Sequence, residues 1–172
     1  MNEGVAMKKI IFLVVGLGGA LCAAMAQEKT WQNADFQLSW KIEGPSLVMR
    51  VSAATRGWVA VGFNPTSMMR DANILIGAVL PNGTTILEDH FGTGLTSHRK
   101  DTDIGGTNDV NLISGEEKDG RTSITFSIPL NSGDRYDRPL ATGSKVTVIL
   151  ALANQDNITA KHSKRTKVEL VL

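Results

Sequence analysis

From Phe36 onward the apolar residues of this chain return at every second position, and that period sets the fold. Phe36, Leu38, Trp40 and Ile42 alternate with more polar neighbours, and Leu47, Met49 and Val51 repeat the pattern after the turn signal Gly44-Pro45. Further short runs rich in β-branched residues follow at 57–63, 73–80, 84–89 (after the turn Pro81-Asn82-Gly83), 123–128, 145–152 and 167–172. Beyond the N-terminal leader, no stretch of ten or more residues carries apolar side chains at i, i+3, i+4 and i+7. Strands with one apolar face and no helix to cover them must stack sheet on sheet, so the expectation is an all-β, antiparallel, immunoglobulin-like β-sandwich. One polar section, 92–120, interrupts the regularity. It is expected to be a long irregular loop with one short strand near 110–113, and so a candidate pocket wall.

The leader reads as an address. Lys8 and Lys9 precede an apolar run over 10–21 that ends in Ala24-Met25-Ala26, the pattern of a secretory signal peptide cleaved after Ala26. The run is too short for a membrane anchor, which needs about 20 apolar residues. Met7, directly before the lysines, is an alternative start. The expected organisation is a signal peptide over 1–26 and one domain over 27–172, periplasmic or secreted, without a membrane span. Cleavage removes Glu3, Lys8, Lys9 and Cys22, which leaves a neutral, cysteine-free domain.

Charge and cysteine count exclude several function classes. With 18 basic and 17 acidic residues, the chain has no broad field to attract nucleic acid or acidic lipid. One cysteine supports neither an intrachain disulfide, nor a cysteine zinc site, nor covalent haem attachment. No G-x-S-x-G, H-E-x-x-H or phosphate-binding glycine loop occurs, so no catalytic residue is assigned.

Several blocks, in order, resemble the DOMON family. They are Gly57-Trp58-Val59-Ala60-Val61-Gly62-Phe63-Asn64-Pro65, then Met68-Met69-Arg70-Asp71-Ala72-Asn73-Ile74-Leu75-Ile76-Gly77, then Asn82-Gly83 and Asp89. Asp119-Gly120-Arg121-Thr122, Phe126-Ser127-Ile128-Pro129-Leu130, Leu150-Ala151-Leu152-Ala153 and Ala160-Lys161-His162-Ser163-Lys164-Arg165 continue the match, which covers nearly all of 31–172. The resemblance implies a β-sandwich that is either a b-type cytochrome domain or a module binding sugars or other ligands, often beside redox domains.

In the cytochrome branch a methionine and a histidine hold the iron. The resemblance places them at Met69 and His162, with Met68 as the alternative thioether. That pair makes a six-coordinate, low-spin iron with a raised potential and no open position for substrate. It implies non-covalent haem b, propionates facing Arg165 or Lys164, and electron transfer to a redox partner protein or membrane electron-transfer component. Lys161 or Lys164 could replace His162 only after losing a proton, which favours the histidine. Arg70-Asp71 departs from the small residues common in the family, and brings bulk and charge near the implied macrocycle edge. The ordinary readings are a methionine that fills space and a surface histidine among Lys161, Ser163, Lys164 and Arg165.

The other constellations are weaker. His90 and His98 with Asp89, Asp101 and Asp103 offer metal-ligand chemistry, but their spacing across a glycine-rich loop argues against one designed site. The stretch 101–106 fails as an EF-hand, because Leu112 stands where the bidentate glutamate belongs. Calcium or another cation is the alternative cofactor, and the resemblance to copper monooxygenases points to one near Asp71 and Asp89. Trp31, Trp40 and Trp58 could stack on a sugar ring. Trp40 and Trp58 lie in strands and are expected in the core, which leaves Trp31 the freer.

Overall fold

The computed structural model describes residues 27–172; the expected signal peptide, its cleavage site and Cys22 lie outside the described residues. The strands are β1 (Lys29–Gln32), β2 (Phe36–Glu43), β3 (Ser46–Ala53), β4 (Val59–Phe63), β5 (Asn73–Val79), β6 (Thr85–Phe91), β7 (Arg99–Lys100), β8 (Asn111–Lys118), β9 (Arg121–Pro129), β10 (Lys145–Leu152) and β11 (Lys164–Val171), with one 3-10 turn at Asp101–Ile104. They form two antiparallel sheets, ordered β1-β2-β3-β9-β8 and β11-β10-β4-β5-β6-β7. No helix among the described residues is long and apolar enough to cross a membrane.

The alternation in the sequence becomes the buried layer between the sheets. Phe36, Leu38, Trp40, Leu47, Met49, Val51, Ile124, Phe126 and Ile128 of the first sheet pack against Val59, Val61, Phe63, Leu75, Val146, Val148, Leu150 and Leu170 of the second. Register locks the faces together: Trp40 stands opposite Met49 and Met49 opposite Phe126, so a one-residue slip would turn a whole row outward.

The section expected as one irregular loop is more ordered than its composition suggests. It holds β7, the 3-10 turn and β8, an eight-residue strand where a short one was expected. β8 is an edge strand with almost every residue exposed and a register shift between Leu112 and Ser114. An edge strand open to water has no apolar face to alternate, so period-two reasoning misses it; the bulge and the charges Glu116, Glu117 and Lys118 protect the edge from further pairing. β1 is a shorter, mostly exposed edge.

The two outer faces differ. The first sheet presents Gln37, Ser39, Lys41, Arg50 and Thr125 to water, as a half-buried antiparallel sheet should. The outer side of the second sheet carries Trp58, Ala60, Ile76 and Ala78, which are buried in a second apolar cluster with Ala153, Ile86, Ala151 and Ile158. A Cβ built on Gly62 would come 2.8 Å from Ile149 Cγ1 and 3.2 Å from Ile74 Cγ1, so these isoleucines close over the glycine. One end of this face is covered by the β10–β11 loop, pinned by Trp58 N donating to the Gln155 carbonyl and Ala153 N to the Trp58 carbonyl, both at 3.0 Å.

Candidate functional site

Met69 lies in the turn between β4 and β5. Thr66 N donates to the Arg70 carbonyl and Arg70 N to the Ser67 carbonyl, each at 2.9 Å. The turn is docked on the β6–β7 loop, since Asp71 N donates to the Gly92 carbonyl at 2.7 Å and Met69 N to the Leu95 carbonyl at 3.3 Å. A side chain on Gly92 would overlap the Met69 carbonyl, which explains the glycine there. Met68 adopts a left-handed φ of 52° and is 47% exposed, whereas Met69 is half-buried. Asp71, also at positive φ, is held by Arg138: Nε donates to its carbonyl at 2.7 Å and Nη2 lies 3.4 Å from Oδ2.

His162 sits at the opposite end of β4. Ser163 N donates to the Leu152 carbonyl at 2.8 Å, Lys164 pairs with Leu152, and Leu152 pairs with Val59 where β4 begins. The Met69 turn follows Phe63 where β4 ends. The two loops therefore lie at opposite ends of β4, which is roughly 13 Å long at about 3.3 Å per residue. Rows of side chains cross its outer face. Arg165, Ala151, Ala60, Ile76 and Glu88 form one; Lys167, Ile149, Gly62, Ile74, His90 and Lys100 form the next. Arg165 thus stands on this face, whereas Lys164 is drawn to Asp35, Nζ to Oδ1 at 2.5 Å.

A second constellation lies beside the core. Asp89 on β6, Asp101 at the start of the 3-10 turn and Asp137 in the β9–β10 loop bring carboxylate oxygens within 4.8 Å of one another. Asp89 and Asp101 are 2% and 1% exposed. Asn73 Nδ2 donates to Asp137 Oδ1 at 2.5 Å, and Asp109 N donates to Asp89 Oδ2 at 3.2 Å. Asn73 Oδ1, Asp89 Oδ1 and both carboxylate oxygens of Asp101 have no partner. Burial, then the charges of Asp137 and Asp101, pushes the Asp89 carboxyl up to about 8. Burial, then Asp137, Asp134 and Asp109, pushes Asp101 up to about 7. Burial also raises Asp137. Carboxylates together with an amide oxygen are the donor set of a hard cation such as calcium.

The residues His90, His98, Asp89, Asp101 and Asp103, whose spacing argues against one designed site, divide in two. Asp89 and His90 are neighbours on β6 and face opposite sides of the sheet. Asp89 joins Asp101 and Asp137 inside, while His90 meets His98 outside, with Nδ1 to Nδ1 at 3.1 Å. Asp103 is exposed, and Asp71 is engaged with Arg138. Asn73 and Asp137 were missed; Asn73 lies within the family block, but no spacing signals Asp137.

The tryptophans do not form a platform. Trp40 is in the main core, Trp58 in the outer apolar cluster, and Trp31, expected to be free, packs half-buried against the main core. A groove of about 410 Å³ on the outer face of the first sheet, lined by residues including Lys41, Glu43, Arg50 and Ile113, has no aromatic wall.

Comparison with known proteins agrees with the architecture. The DOMON domain profile matches residues 32–153. DBH-like monooxygenase protein 1 is 31% identical in Homo sapiens and 33% in Mus musculus over 121 residues, covering 70% of this chain and 19% of either protein. Putative DBH-like monooxygenase protein 2 of Homo sapiens is 27% identical over 137 residues, 80% of this chain and 26% of that protein. The chain thus spans about a fifth to a quarter of the curated relatives it matches. Among solved structures, the cytochrome domain of Myriococcum thermophilum cellobiose dehydrogenase superposes with a TM-score of 0.61 at 12% identity, over 84% of this chain and 82% of that one. The profile covers more than half of the chain, and the chain belongs to the DOMON domain family.

Proposed function

We propose that this chain is an exported electron-transfer domain that holds one non-covalent b-type haem, with Met69 and His162 as iron ligands. The observation that carries this reading is that the Met69 turn and the His162 loop lie at the two ends of β4, whose outer side carries the small residues Ala60 and Gly62 among apolar neighbours. The donor chemistry fits, since a thioether and an imidazole suit haem iron. The surface fits as well: Ala60, Gly62 and Ala151 keep it low, and Ile74 and Ile149 would lie against a macrocycle and exclude water. Arg165 and Lys167 form a cationic rim suited to propionates. The structural neighbour being a cytochrome domain supports the same reading. When bound, the group supplies reversible one-electron exchange. The chain works as a carrier for a redox protein or membrane component, and no catalytic residue is invoked.

The test is spectroscopic. Purified protein reconstituted with haemin and reduced with dithionite should show a sharp Soret and α band, lost in His162→Ala and in Met69→Ala but kept in Met68→Ala. If Met69→Ala and Met68→Ala both leave the spectrum unchanged, the thioether assignment is wrong; if no reduced spectrum forms, the cytochrome reading falls.

A second reading has its own observation. The buried Asp89, Asp101 and Asp137 with the unpartnered oxygen of Asn73 favour a calcium-class cation that ties together β5, β6, the 3-10 turn and the β9–β10 loop. It would stabilise the sandwich in a cytochrome, and equally in a haem-free module that binds a sugar or other small ligand. Calcium-dependent stability without a haem spectrum selects the module.

A further inference from the structure

We propose that His90 and His98 form a binding site for one divalent transition-metal ion, with copper(II) preferred. The proposal is independent of the haem reading.

The β6–β7 hairpin builds the pair. His90 pairs with Lys100 and Phe91 with Arg99, so strand parity sets His98 on the same outer face as His90. The loop between them is closed by Gly94 N donating to the Ser97 carbonyl at 3.2 Å, and by Thr93 Oγ1 and Ser97 Oγ at 3.2 Å. The rings meet edge to face, centroids 4.9 Å apart, with the two Nδ1 atoms 3.1 Å apart. That is the separation of two adjacent ligands on one ion, since imidazole nitrogens at about 2.0–2.1 Å from a metal, at an angle between 90° and the tetrahedral value, stand roughly 3 Å apart.

The other nitrogen of His90 supplies the second argument. His90 Nε2 lies 3.0 Å from Glu88 Oε2, and Lys100 Nζ holds the other Glu88 oxygen at 3.4 Å. Metal-ligating histidines commonly give their remaining N–H to a carboxylate, which fixes the tautomer and makes the free nitrogen more basic. With its proton on Nε2, His90 presents a lone pair at Nδ1. In the metal-free pair His98 Nδ1–H donates to that lone pair; on binding, the His98 proton moves to its Nε2, so two neutral imidazoles bind with no net proton change. Burial lowers the basicity of both rings and keeps them neutral. The charged groups facing the pair are Glu88, Lys100 and, at longer range, Asp103. Remaining coordination positions are taken by water. Imidazole donors suit copper and zinc, and the Irving–Williams order places copper(II) above zinc at the same site.

The experiment titrates haem-free protein with CuSO4 and with ZnSO4. Calorimetry should give one equivalent of copper bound more tightly than zinc, and electron paramagnetic resonance should show superhyperfine splitting from two nitrogens. His98→Ala should weaken copper binding at least tenfold, and Glu88→Gln by about tenfold through loss of the orienting hydrogen bond. Zinc should shift the NMR signals of His90 and His98 in the unmodified protein and leave those of His162 in place, a readout that needs no variant to fold. The proposal is overturned if no stoichiometric binding occurs, if one nitrogen or none is seen, or if the shifted signals belong to His162. Binding that persists undiminished in His98→Ala overturns it as well.

Discussion

Three carboxyl groups around one buried point make stability depend on pH with a definite sign. Asp89 rises from its ordinary 3.8 to about 8 and Asp101 from 3.8 to about 7. A carboxyl whose pKa is raised by folding holds more protons in the native state than in the unfolded state, so unfolding becomes easier as pH rises. Its contribution is fully present below about pH 4 and is lost as pH climbs through the folded value. His90 and His98 act oppositely, because burial lowers them; their contribution is complete above their ordinary 6.5. The window from about 6.5 to 8.5 therefore isolates the aspartates. At about 1.4 kcal/mol per pKa unit, the Asp89 shift alone is on the order of 5 kcal/mol over its full range, a large part of a typical domain's 5–15 kcal/mol. Roughly a third of that, about 2 kcal/mol, falls inside the window. In EDTA the melting temperature should drop by about 5 °C or more between pH 6.5 and 8.5, at roughly 2–4 °C per kcal/mol. Calcium at millimolar concentration should abolish the drop. Asp101→Asn removes one charge, so it should raise the melting temperature at pH 8.5 in EDTA and blunt the calcium response. Differential scanning calorimetry checks all three curves; a flat melting temperature in EDTA that calcium does not move would refute the reasoning.

Other expectations concern packing and backbone. Phe126→Ala, at the centre of the first sheet's buried face, should cost about 3–5 kcal/mol in urea denaturation. Gly92→Ala would drive a methyl into the Met69 carbonyl; it should cost about 1–3 kcal/mol and broaden the NMR signals of the 66–72 turn. Met68→Gly relieves a left-handed residue that costs about 1–2 kcal/mol, offset by roughly 0.5–1 kcal/mol of glycine entropy. Its stability should therefore match or exceed the parent's, and a loss in the same denaturation assay would show that the Met68 side chain makes contacts the backbone argument omits.

The sandwich was legible from residue order because burial on one face imposes alternation on each strand separately. Leu38, Trp40, Met49 and Val51 announce β2 and β3 whatever their neighbours turn out to be. β8 was legible only in part, because an edge strand with both faces wet carries no apolar signal. Met69 and His162 were named by resemblance, and what the fold adds is that their loops lie at opposite ends of β4. The grouping of the acidic cluster belongs to the tertiary structure. Asp89 and Asp101 were singled out from the sequence as candidate ligands, but Asn73, Asp89, Asp101 and Asp137 lie on four separate segments, and nothing local joins these four. Likewise, that Asp89 and His90 serve different faces while His98 returns to His90 follows from the β6–β7 hairpin. Local chemistry decides which side of a strand faces oil or water; which charges share one poorly solvated volume is decided by loops that close only when the sheets pair.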